Sequence, residues 1–136
     1  MANIRVDVES VAVTEGQGVG EGDFELRIQV QEGNNKVVWP SLNGWVKVDK
    51  GGAAQSVNAS VGTYSVSAGT LSKRFTIDVT EVDGGTLGQD DQGQSTLDFD
   101  LTPTMAPSTK SAIIKLKRPN MQFLGKVKVT MTAQRI

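Results

Sequence analysis

The sequence predicts an all-β fold, an antiparallel two-sheet β-sandwich of about eight strands. Three observations predict it. Apolar residues recur with period two in segment after segment, the pattern of strands buried on one face. No window holds sustained apolar spacing at i, i+3, i+4 and i+7. Turn-forming residues separate the apolar runs every ~8–12 residues, as they do between the short strands of a sandwich. Alternation this regular leaves one face of each strand wet, which favours two packed antiparallel sheets over a parallel sheet buried on both faces.

The elements follow in order. Ile4, Val6 and Val8 alternate with Arg5, Asp7 and Glu9; Val11 and Val13 continue the run one residue out of phase. That slip near Glu9-Ser10 predicts a β-bulge. Phe24, Leu26, Ile28 and Val30 then alternate with Glu25, Arg27, Gln29 and Gln31. Shorter strands are expected at 37–39, 45–48, 56–61 and 64–66. In the second half, 75–79, 97–101, 112–117 and 127–133 repeat the alternation. Val and Thr are abundant, which suits a pleated surface. Breaks come at Gly16 to Gly22, Gly33-Asn34-Asn35, Asn43-Gly44, Lys50-Gly51-Gly52, Gly84-Gly85 and Pro119-Asn120, all sequences with turn chemistry. Asp83 to Gln94 is expected as a polar functional loop rather than a domain boundary. Thr102 to Lys110, with Pro103 and Pro107, is expected to carry the chain from one sheet to the other. No linker divides the chain, so one domain is expected over 1–136.

Composition excludes much chemistry. The chain has 136 residues and contains neither Cys nor His. Disulfides, thiolate or imidazole metal sites, and Ser-His-Asp or Cys-His catalysis are therefore impossible. No run reaches the ~18 apolar residues of a membrane-spanning helix. The opening Met-Ala-Asn-Ile-Arg-Val-Asp lacks the apolar stretch of a signal peptide. The segment Gly16 to Gly22 contains G-x-G-x-G, but it joins two strands with no helix following, so it is not a nucleotide loop. Paired carboxylates of a glycosidase would need a cleft walled by aromatic rings. The inventory is that of a non-enzyme.

A net charge of −1 hides a marked asymmetry. From Lys110 onward there are seven basic residues and no acid; residues 1–109 hold the other seven basic and all fifteen acidic residues, a balance of −8. A hairpin pairing 112–117 with 126–131 would gather Lys115, Lys117, Lys126 and Lys128 on one face. One reading is protection of strand edges against aggregation. The other is a partner surface, because like charges gathered on one face cost free energy unless acids answer them. Nucleic acid is a poor candidate partner: the hairpin lacks stacking aromatics apart from Phe123, and the rest of the chain is acidic.

A cluster with possible metal chemistry is Glu81, Asp83, Asp90 and Asp91 in a Gly-rich segment, with Glu15, Glu21 and Asp23 of an earlier acidic loop able to join if the two loops share one end. Carboxylates on such loops can wrap calcium, which takes six to eight oxygens in irregular geometry. The other reading is solvated surface acid. The spacing is not that of an EF-hand. Gly22-Asp23-Phe24-Glu25-Leu26 after one acidic loop, and Phe75-Thr76-Ile77-Asp78-Val79-Thr80-Glu81-Val82-Asp83 followed by Asp90-Asp91-Gln92-Gly93, resemble the paired loops of bacterial C2-like β-sandwiches. The resemblance covers about 35 residues. It implies a C2-like sandwich among the possible topologies, beside immunoglobulin-like and jelly-roll-like ones, and calcium held at one end by a docking module. Glu15 and Gln17 stand where such sites place aspartates.

Three functions remain open on sequence. The leading expectation is a structural, self-associating subunit of a larger assembly, phage-like or appendage-like, with copies of itself or assembly proteins as partners. The second is a calcium-dependent C2-like binding module; a weak calcium site would suit use outside a cell, in a virion or an extracellular structure. The third is a carbohydrate-binding sandwich using Trp39, Trp45 and Tyr64.

Overall fold

The structure is a computed structural model that describes residues 1–16, 24–49, 51–82, 91–117 and 123–136. Nine strands are described: β1 (Ala2–Gly16), β2 (Phe24–Glu32), β3 (Asn35–Trp39), β4 (Val46–Val48), β5 (Gln55–Val66), β6 (Leu71–Glu81), β7 (Asp91–Leu101), β8 (Ser108–Lys117) and β9 (Phe123–Arg135). Every pairing is antiparallel, and no helix occurs among the described residues. The all-β expectation holds.

The strand order is β3-β2-β6-β7-β8-β9-β1-β5, with β4 also on β2. Between β7 and β8 the order rests on a single paired position, Gln92 opposite Lys117. The two strands part from that corner, so β3, β4, β2, β6 and β7 form one layer and β8, β9, β1 and β5 the other. Gly93 makes the corner possible. A Cβ there would collide with the Lys115 carbonyl oxygen and lie 2.6 Å from Ile114 Cγ2. The connection after Leu101 spans the parted end and does carry the chain between layers, as its prolines suggest.

The core lies between the layers and draws on both. Ile4, Leu26, Ile28, Phe24, Phe75, Ile77, Phe99, Leu101, Ile114, Leu116 and Met131 are fully buried. Each buried side chain of this size contributes about 1.5–3 kcal/mol. The inward phase read from the sequence is the buried phase in every long strand. Tyr64, Phe75 and Phe99 meet edge to face, at 6.1 Å and 5.9 Å between ring centres, a favoured arrangement of ring quadrupoles.

The far side of the sandwich nearly closes as well. β3 and β5 end the strand order without pairing, yet Asn35 Nδ2 donates to Tyr64 Oη at 3.3 Å. Gly62 lies against the same Asn35 side chain. Lys73 reaches this seam from β6, 3.6 Å from Glu32 and 5.6 Å above the Tyr64 ring.

Some boundaries differ from expectation. The segments 56–61 and 64–66 form one strand, because Gly62 and Thr63 continue the pairing to Val6 and Arg5. The polar stretch 83–94 is not all loop: residues 91–94 pair with 78–81 as the start of β7. Its side chains are polar because they lie on a wet face, not because the backbone is irregular. Trp45 precedes β4, and residues 108–110 belong to β8 rather than to the connection before it. The bulge near Glu9 is present, since the register of β1 slips between Val8 and Ser10 against both β5 and β9.

Candidate functional site

The lysine face is built by the β8–β9 hairpin. Ala112, Ile114 and Leu116 point inward opposite Val129, Val127 and Gly125. Their neighbours Ile113, Lys115 and Lys117 must then face water, and they do. Lys115 is directly opposite Lys126, and Ile113 is opposite Lys128. The hairpin therefore gathers Lys115, Lys117, Lys126 and Lys128 as the alternation predicts. Glu15 of β1 answers one of them, at 3.3 Å from Lys126 Nζ. Among the described residues no carboxylate lies within ion-pair distance of Lys115, Lys117 or Lys128. Ile113 is 48% exposed in their midst.

Lys110 has a different task. Its Nζ donates to the Asp98 carbonyl at 2.7 Å and lies 5.4 Å from the Phe99 ring centre. That carbonyl belongs to the stretch of β7 that β8 leaves unpaired. This lysine covers a sheet edge, so edge protection applies to Lys110. On the outer face of β7, Arg74 holds Asp98 through two bonds of 2.8 and 3.1 Å. The hydrogen bond to Arg74 keeps the Asp98 carboxyl below the usual carboxylate range. Both groups are fully exposed, so the pair is screened and adds little stability.

The carboxylates are placed as follows. β2 and β6 are neighbours, with Leu26 opposite Glu81 and the Val82 amide donating to the Glu25 carbonyl at 2.7 Å. The strand ends flanking both acidic loops therefore lie at one end of the sandwich. Glu81 is opposite Asp91, and Asp91 is buried. Glu15 is at the same end but in the other layer, engaged with Lys126. Asp83 and Asp90, like Glu21 and Asp23, lie outside the described residues. Among the described residues no group of three or more acids is placed to hold a metal ion. Glu81 and Asp91 alone supply too few oxygens for calcium.

The three aromatic residues do not form a sugar platform. Tyr64 is buried in the core, with its hydroxyl hydrogen-bonded to Glu32 and Asn35. Trp39 packs half-buried against that core, and Trp45 is half-exposed beyond β3. The ring positions follow strand phase: Tyr64 shares the inward phase of Val66 and Val61's neighbours in β5 rather than a solvent face.

Sequence reasoning missed a polar cleft of about 640 Å³ on the outer face of β5, β1 and β9. Three register slips concentrate there. Against β1, the strand β5 carries extra residues at Val61 and near Asn58, and against β9, β1 carries Glu9 as an extra residue. Bulges bend a strand and increase its local twist, which makes an outer sheet face concave. Asn58 has φ 50°, the left-handed conformation that Asn tolerates better than most residues. The predicted bulge at Glu9 was the signal in the sequence; what it could not show was that β5 slips beside it.

Comparison with known proteins gives little further. No protein-family model matches the chain, and no curated protein matches it. Among solved structures, the C2A domain of plant Extended Synaptotagmin 1 is similar at 14% identity and a TM-score of 0.45, covering 99% of this chain and 95% of that one. A likeness at that level carries no argument about function.

Proposed function

We propose that this chain is a non-enzymatic β-sandwich that works by self-association, as a subunit of a larger assembly, with the outer face of β8–β9 as the basic half of the contact. The observation that carries the reading is Ile113, exposed among Lys115, Lys117 and Lys128 on a rigid hairpin. An apolar side chain ringed by unanswered cations suits a contact in which burial supplies affinity and charge sets register. The complementary half is in the same chain: residues 1–109 carry −8, with Asp78, Asp98 and Asp100 on the outward faces of β6 and β7. Joining unlike surfaces makes a head-to-tail contact, which yields rings if it closes and filaments if it does not.

Sedimentation velocity tests this. The native protein is expected to sediment as oligomers at low salt and to shift toward monomer as salt shortens the screening length to ~3 Å near 1 M. Replacing Lys115, Lys117 and Lys128 with Glu should give a folded monomer, and Ile113→Ser should weaken the contact without changing charge. A native protein that stays monomeric at high concentration and low salt overturns the reading.

A second reading, a calcium-dependent C2-like binding module, is favoured by one observation: Glu81 and Asp91 face each other at the mouth of the 83–90 segment. Calcium binding to the native state would raise its melting temperature. Millimolar calcium should then raise the melting temperature of the native chain and not of the Asp90→Asn, Asp91→Asn variant. An unchanged native melting curve removes this reading.

A further inference from the structure

The cleft on β5, β1 and β9 belongs to neither reading above. It is assembled from three strands that are distant in sequence, and its lining is wholly polar apart from Pro107, which the β7–β8 connection contributes to its rim. At its base Arg5 Nε donates to Asp7 Oδ2 at 2.9 Å. The other carboxylate oxygen, Asp7 Oδ1, is buried and has no hydrogen-bond partner. A buried acceptor left unmade costs about 1–3 kcal/mol, and more on a charged group. Native proteins rarely leave such an atom unanswered without a reason.

We propose that this cleft binds vicinal hydroxyl groups of a saccharide, with Asp7 Oδ1 accepting from one hydroxyl. The Arg5–Asp7 pair is internally neutralised, so the open oxygen calls for a neutral O–H donor rather than a second cation beside the guanidinium. An adjacent hydroxyl would accept from the remaining Arg5 N–H groups, which are free of other recorded bonds. Asn58 and Gln134 add amides that both donate and accept, and Ser60 and Thr132 add hydroxyls of the same dual character. Glu9 stands at the bulge, where the slip presents it outward. A volume of 640 Å³ lies within the range of small-molecule sites and admits one or two sugar rings. No aromatic ring lines the cleft, so recognition would be by hydrogen bonding, with modest affinity.

The test is a titration of the isotopically labelled full chain, read by backbone amide shifts. The probes are glucose, galactose, mannose, maltose and lactose, each to about 20 mM, a concentration that detects even millimolar affinity. Spermidine serves as a cationic probe. At least one sugar is expected to shift amides of 5–9, 58–60 and 132–134 saturably. Asp7→Asn should weaken that binding about tenfold or more, the loss of one charge-assisted hydrogen bond. Ser60→Phe, which fills the cleft from an outer sheet face, should abolish it and decides the matter if Asp7→Asn does not fold. Lys115→Glu should leave it unchanged. The proposal is overturned if no sugar shifts those amides, if the shifts persist in both cleft variants, or if spermidine alone produces them.

Discussion

Tyr64 is the chain's single tyrosine, which makes its ionisation readable without interference. Burial, and then the hydrogen bond it gives to the Glu32 carboxylate, push its hydroxyl well above the ordinary value of 10.0. The folded chain therefore holds this proton more tightly than the unfolded chain does. Its contribution to stability is whole below pH 10.0 and is lost as pH rises from there through the folded value. In an alkaline titration, phenolate absorbance should appear together with loss of the β-sheet circular dichroism signal, not ahead of it. Absorbance that rises near pH 10 while the sheet signal persists would show the hydroxyl to be open to solvent. Tyr64→Phe should remove this alkaline step and cost about 1 kcal/mol at neutral pH, for one hydrogen bond in the seam between β3 and β5.

Among the elements, β7 and β8 show how much one small residue decides. Gly93 lets the two strands meet at Gln92 and Lys117 before they part. In Gly93→Ala the new methyl would meet the backbone of Lys115, which cannot rotate away. The variant should lose about 1–3 kcal/mol in urea denaturation, as overpacked sites do, with the largest gain in amide exchange along β8. The strands themselves were legible in the sequence because each has one wet face, so period two survives from Phe24 to Val30 and from Ala112 to Leu116. The lysine face was legible for the same reason, since a hairpin with inward Ile114 and Val127 leaves Lys115 and Lys126 one direction to point. The start of β7 was not legible: Asp91, Gln92 and Gly93 have loop composition, and their pairing to β6 is a long-range contact without local signature. The cleft was illegible on the same ground. Arg5, Asn58 and Gln134 look like ordinary outward polar residues until bulges on adjacent strands bring them around one hollow.

Over the whole molecule, the two seams that keep the sandwich from being a closed barrel are tied through the core. Lys73 lies over Tyr64, Tyr64 packs edge-on to Phe75, Phe75 to Phe99, and Lys110 lies over Phe99. Phe75 is the middle of this row and is fully buried. Phe75→Ala should cost about 3–5 kcal/mol and should raise amide exchange at both seams, at Asn35 and at Lys110 alike. A loss confined to one seam would mean that the row packs without coupling them. The aromatic row could not be read from the sequence beyond the inward phase of each member, because ring-to-ring geometry depends on how the two layers face each other.

The pairing of β1 with β9 has a mechanical consequence. Ile4 is opposite Arg135, and the Ile136 amide donates to the Asn3 carbonyl at 3.0 Å. Residues 2 and 135 therefore leave the sheet side by side. Tension applied between these two points would pull across the ladder, and its hydrogen bonds would open one after another from Asn3 inward. A load placed between Ala2 and Lys126 would run along the strands instead and strain many of the same bonds together. In single-molecule force spectroscopy the first geometry should yield at a markedly lower force than the second, so this sandwich would be soft when pulled at its two end strands and stiff when sheared along them.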